Sequence, residues 1–118
     1  MTTDDEYSAV HRFTDDGLGT IVWRTGTGGN VEILDIRAKT YGEGKGRELL
    51  SQLLHSLKSC PPYATVFGFS RVGNADAHMF YCTMGFDLSR VDGVYADGEA
   101  IVFSQLYTVL CDMHLHGG

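Results

Sequence analysis

Apolar and polar residues alternate through the first third of the chain. Leu18–Thr25 sets Ile21 and Trp23 against Val22 and Arg24. Asn30–Arg37 sets Val31, Ile33 and Asp35 on one face and Glu32, Leu34 and Ile36 on the other. A period of two marks half-buried strands, and Tyr7–Phe13 reads as another ahead of them. Asp15-Asp16-Gly17 and Gly26-Thr27-Gly28-Gly29 separate the three runs as turns. The pattern predicts a three-stranded antiparallel meander.

The period then changes. Leu49, Leu50, Leu53, Leu54 and Leu57 recur at helical spacing, and Pro61-Pro62 ends the run because proline cannot continue the hydrogen-bond ladder. Ala64–Ser70 reads as a buried strand. Asn74 can cap a second helix, in which Ala77, Phe80, Tyr81 and Met84 share a face, and Gly85 can end it. Phe86–Val91 and Ala100–Leu110 read as two further strands, joined through Asp92-Gly93 and Ala96-Asp97-Gly98. The order βββ-α-β-α-ββ predicts an α/β fold (α+β in some schemes). Its mixed, mostly antiparallel sheet has about six strands flanked by two helices. One domain over residues 1–118 is expected, with residues 1–6 a disordered tail.

The charge balance narrows the function. Fifteen acidic residues against nine basic give a net charge of −6, the wrong sign for a nucleic-acid surface. Arg37, Lys39, Lys45 and Arg47 nevertheless concentrate positive charge around one glycine-rich loop. No apolar run approaches the ~18 residues of a membrane span. Cys60, Cys82 and Cys111 match no zinc or disulfide spacing, and they read as reduced thiols in a cytoplasmic protein. Asp112, His114 and His116 read as part of a flexible tail ending Gly117-Gly118 rather than as metal ligands, so no metal is expected.

Tyr41-Gly42-Glu43-Gly44-Lys45-Gly46-Arg47 lies between a strand and a helix. Free amides at a helix N-terminus carry partial positive charge, and glycines let a phosphate approach them. It is neither a Walker A loop nor a dinucleotide fingerprint. A flexible, glycine-capped loop is the plain alternative. Tyr81 sits on the apolar face of the second helix. It is either a core tyrosine bonded to a carbonyl or a general acid able to protonate a leaving thiolate.

Leu34–Leu54 followed by Asn74–Phe86 (N-A-D-A-H-M-F-Y-C-T-M-G-F) closely resembles the GNAT superfamily of N-acyltransferases, over about Leu34 to Phe103. Val94–Phe103 resembles the close of its ribosomal-protein alanine N-acetyltransferase branch. The resemblance implies acetyl-CoA as co-substrate and an amine acceptor: a small amine, a peptide N-terminus or a lysine. It implies that Tyr41, Gly42, Glu43, Gly44, Lys45, Gly46 and Arg47 hold the pyrophosphate. The backbone of Leu34, Asp35 and Ile36 would pair with the pantetheine arm. Asn74 would contact the arm, and Tyr81 would protonate the departing thiolate.

The chain departs from the pattern at Tyr41, where Arg or Gln is usual, at Ala38, where Pro is common, and at Glu43, which puts a carboxylate near the phosphates. Phe69 stands where the alanine branch carries a basic glutamate. Glu32 is the first candidate for the base and Asp35 the second; each is otherwise an ordinary strand carboxylate. His78 reads as a surface residue and Cys82 as packing. Only 29 residues precede the third strand, fewer than a GNAT domain usually has, so the domain is expected to be N-terminally shortened and a homodimer to complete the acceptor wall. The rival from another class is a non-catalytic acyl-CoA-binding or interaction module. A phosphate- or nucleotide-binding protein would leave the Asn74–Phe86 spacing unexplained.

Overall fold

The computed structural model describes residues 10–40, 42–57, 60–96 and 98–115. The expected tail at 1–6, the start of the Tyr7–Phe13 strand, Tyr41 and His116 lie outside them. The meander is present as β1 (His11–Asp15), β2 (Gly19–Thr25) and β3 (Val31–Ala38). Asp15 fixes the first turn, its Oδ1 accepting from the backbone N–H of Gly17 at 2.7 Å and of Leu18 at 3.0 Å. Then come α1 (Lys45–Ser56), β4 (Thr65–Arg71), α2 (Ala75–Thr83), β5 (Asp87–Tyr95), β6 (Gly98–Leu106) and α3 (Tyr107–His114). The six strands form one sheet in the order β1-β2-β3-β4-β6-β5, with β3 and β4 parallel and every other pair antiparallel. The architecture is the expected mixed six-stranded α/β fold.

Three findings correct the sequence reading. First, the sheet is flanked by three helices rather than two. The strand expected over Ala100–Leu110 ends at Leu106; its last four residues begin α3, and Asp112 and His114, expected in a tail, lie at the end of that helix. Tyr107, Leu110, Cys111 and His114 repeat at i, i+3, i+4 and i+7, so burial against the core selects the helix over a short apolar run's strand tendency.

Second, Leu34 is a β-bulge. Asp35 lies opposite Val22 but Ile33 lies opposite Trp23, leaving Leu34 extra on β3. The extra residue reverses the alternation. Ile33 and Ile36 both pack against the helices, while Asp35 shares with Glu32 the face turned away from them.

Third, Asp92-Gly93 does not join the last two strands. It lies within β5, where pairing jumps from Val91 to Tyr95, and Gly93 has φ +86°.

All three helices cover one face of the sheet. Leu49, Leu50, Leu53 and Leu54 of α1 are at most 1% exposed and pack with Ile21, Val31, Ile33, Val66 and Phe103 of the sheet. Tyr81 and Met84 of α2 and Leu110 and Cys111 of α3 join the same core. No described helix covers the opposite face. There Val22, Phe67 and Phe69 accompany Glu32 and Asp35, and the Phe67 and Phe69 rings meet edge to face at 5.9 Å.

Candidate active site

The site is built where two parallel strands part. β3 and β4 share rungs only at Val31–Val66, Glu32–Phe67 and Ile33–Gly68. Past that point β3 stays paired to β2 through Ala38, and β4 to β6 through Arg71. The inner edges of Leu34–Ile36 and of Phe69–Arg71 therefore diverge, and the sheet opens as a wedge at the carboxyl ends of both strands. Backbone amides at such an edge can pair with an extended amide-bearing ligand. Strand ends of this kind are where open α/β sheets bind ligands.

The glycine loop closes the wedge's wide end. Gly42 and Gly44 have φ +77° and +75°, and Gly44 is the N-cap of α1 with no side-chain cap. The amides of the first turn are thus left for an outside acceptor. Gly46 serves a different purpose: a Cβ there would collide with the ring of Phe80, so its lack of a side chain lets α2 lie against the loop. Lys45 Nζ stands 3.9 Å from Glu43 Oε1, which partly offsets the carboxylate in the loop. Arg47 is exposed.

Asn74 starts α2, its Oδ1 accepting from the Ala77 N–H at 3.2 Å. Two residues from the other end, Tyr81 is 7% exposed. Its ring lies flat on Phe103, centroids 3.6 Å apart and planes 9° from parallel. Phe80 and Phe86 meet it edge-on at 5.2 and 5.6 Å. Burial, and secondarily the Asp35 carboxylate, push the phenol well above the ordinary tyrosine value. Tyr81 therefore keeps its proton throughout the physiological range. Asp35 is half-buried and receives Arg37 Nε at 2.9 Å.

The helix end holds Tyr81 from below. Gly85 has φ +100°, its N–H donates to Cys82 O at 3.1 Å, and the Phe86 N–H donates to Tyr81 O at 3.0 Å. These are the two bonds of a Schellman motif, with Tyr81 and Phe86 as its apolar pair. The sequence pattern Tyr-x-x-x-Gly-Phe is thus a helix stop that presents a tyrosine.

Glu32 is 8% exposed, and both Arg24 Nε and a terminal guanidinium nitrogen donate to its Oε1 at 2.9 and 2.8 Å. Oε2 receives neither. His78 Nε2 lies 3.0 Å from Arg71 O, a structural contact. Cys82, expected to pack, is exposed, because α2 buries only a narrow face. Ser70 was missed by the sequence reading. It is 8% exposed, lies two residues past the last β3–β4 rung, and its hydroxyl meets no partner among the described residues. A lone serine closing the apolar run Ala64–Ser70 was the available signal. No group of three or more metal-binding side chains occurs among the described residues. A cavity of about 300 Å³ between His11, Trp23, Val31 and Leu57 lies at the start of β3, the end opposite the wedge.

No family model and no curated protein matches the sequence. Solved structures do. A protein described as a candidate streptothricin acetyltransferase from Bacillus anthracis, in complex with acetyl coenzyme A, superimposes with TM-score 0.64 at 24% identity over 75% of this chain and 56% of that one. The ribosomal-protein-S18-alanine N-acetyltransferase of Escherichia coli matches with TM-score 0.59 at 22% identity over 88% of this chain and 71% of that one. The chain has the GNAT fold. Naa50 of Arabidopsis thaliana, solved with a bisubstrate analogue, CoA-Ac-MVNAL, shares it with TM-score 0.55 at 22% identity over 75% and 64% of the two chains. This GNAT-fold chain spans little more than half the length of the first of these neighbours.

Proposed function

We propose that the chain is one domain that transfers an acetyl group from acetyl-CoA to an amine. The observation that carries the reading is the convergence, at one sheet end, of three parts. These are the unpaired edge of Leu34–Ile36, the uncapped amides after Gly44, and a buried, protonated Tyr81. Neighbours of the same fold are solved with acetyl-CoA or a CoA-peptide analogue, which supports the same cofactor. On this reading the loop amides, Lys45 and Arg47 bind the pyrophosphate. The pantetheine arm adds to the edge of β3, and Asn74 and Ser70 border it.

The chemistry follows from the groups at hand. The amine attacks the thioester carbonyl, and a C–N bond forms as the C–S bond breaks. Tyr81 gives its proton to the departing thiolate. Glu32 takes the amine's proton, directly or through one water. Its place on the face opposite Tyr81 suits a relay better than direct contact. A small amine, a peptide N-terminus and a lysine all fit this chemistry.

The face bearing Val22, Phe67 and Phe69 borders the acceptor side, and we assign its cover to a second copy of the chain, in the cytoplasm, where the three free cysteines stay reduced. Calorimetry tests the shared basis. Acetyl-CoA is expected to bind in the micromolar range, and absence of heat at millimolar ligand would remove the cofactor and with it the reaction.

A further inference from the structure

A nine-residue helix cannot satisfy its last carbonyls by itself. In α2 the turn serves three of them: Phe80, Tyr81 and Cys82 accept from the N–H groups of Met84, Phe86 and Gly85. Just beyond them, the carbonyls of Met84 and Gly85 are met by side chains from the far end of the chain. Gln105 Nε2, near the end of β6, donates to Gly85 O at 2.9 Å. His114 Nε2, in the last turn of α3, donates to Met84 O at 2.8 Å. A carbonyl only accepts, so Nε2 carries the hydrogen. The thioether of Met113 occupies the space where a Cβ on Gly85 would stand.

The clamp stands on a firm base. The Tyr107 N–H donates to Ala64 O at 2.8 Å, tying the start of α3 to the strand that forms one side of the wedge. Leu110 and Cys111 are buried against the core. One short helix therefore links the residue before β4 to the turn through Gly85 and Phe86 that ends α2.

We propose that His114 and Gln105 are positioning residues for Tyr81: by holding the carbonyls of Met84 and Gly85 they stop the end of α2 from fraying and keep the phenol aimed at the wedge. The functional half of this rests on the acetyl-transfer reading; the clamp itself does not. Helix ends open cheaply, and a proton donor displaced by about 1 Å loses on the order of a hundredfold in rate.

Two measurements on the full chain separate the halves. In amide hydrogen exchange by NMR, His114→Ala should speed exchange at Gly85 and Phe86 about tenfold, with Ile33 and Val66 unchanged. His114→Gln keeps a donor and should restore most of the protection. Unchanged exchange at the turn, or a uniform rise across the sheet, overturns the clamp. In steady-state kinetics His114→Ala should lower kcat about tenfold and leave the KM for acetyl-CoA within twofold. Added to Tyr81→Phe it should cost nothing more, because it acts through the phenol. An equal loss in the Tyr81→Phe background overturns the positioning role. A wild-type chain that acetylates no amine counts against the acetyl-transfer reading, and exchange alone then decides the clamp.

Discussion

The backbone N–H of Phe86 donates to the carbonyl of Tyr81 at 3.0 Å while the two rings meet edge to face at 5.6 Å. One turn thus holds the tyrosine by its main chain and by its side chain. Phe103 stacks flat on the ring, meets Phe86 edge to face at 5.3 Å, and belongs to the strand that pairs with β4. The helix stop, the central sheet and the candidate proton donor are one packing unit.

Gly85 is the hinge of that unit. Its φ of +100° suits glycine alone, and the space beside it is filled by Met113. Gly85→Ala is expected to destabilise the protein by about 1–3 kcal/mol. Urea unfolding at constant m-value measures this, and a change under about 0.3 kcal/mol would show that the turn tolerates a side chain.

Tyr81→Phe preserves the stack on Phe103 and removes only the hydroxyl. Stability should change by less than about 1 kcal/mol while kcat falls about a hundredfold, the scale of one general-acid contribution. A variant as active as the parent would leave protonation of the thiolate to another group or to water.

The phenol also predicts an alkaline limit. Tyr81 holds its proton above the ordinary tyrosine value of about 10, at which the unfolded chain ionises. Its contribution to stability is complete below that pH. It is lost as the pH climbs from there toward the folded-state value, because only the unfolded chain releases the proton. Relative to Tyr81→Phe, the wild type should lose stability between about pH 10 and 11.5. Parallel curves for the two proteins over that range would place the phenol in an ordinary environment.

How far the sequence carried the reading depended on whether the deciding forces were local. The strand periods, the leucine face of α1, the Asn74 cap and the Gly85 stop all act within a few residues, and all are visible in the chain. The bulge at Leu34 is not. It depends on pairing with β2, and it moves Asp35 to the face of Glu32 and Ile36 to the core. The third helix was hidden for a similar reason: Tyr107–Leu110 is rich in residues that suit strands, and only packing on α1 and the core decides for a helix. Ser70 looked like the end of an apolar strand until the wedge showed that its neighbour strand had turned away.

The two carboxylates are separable by substitution. Glu32→Gln keeps an acceptor for Arg24 but removes the basic oxygen, so kcat should fall by about tenfold to a hundredfold, most at low pH where little free amine is present. Asp35→Asn removes a charge that opposes phenolate formation, so the tyrosine should ionise more readily while turnover changes less than about threefold. The reverse ranking of the two variants would move the base to Asp35.

The central claim, acetyl transfer from acetyl-CoA governed by Tyr81, is tested most directly by amine-dependent release of CoA thiol. Wild type and Tyr81→Phe are compared over a panel of small amines, lysine and short peptides. Thiol release that depends on an amine and falls about a hundredfold in the variant is the expected result. No amine-dependent release at millimolar acetyl-CoA, from a protein that binds the cofactor, would contradict it.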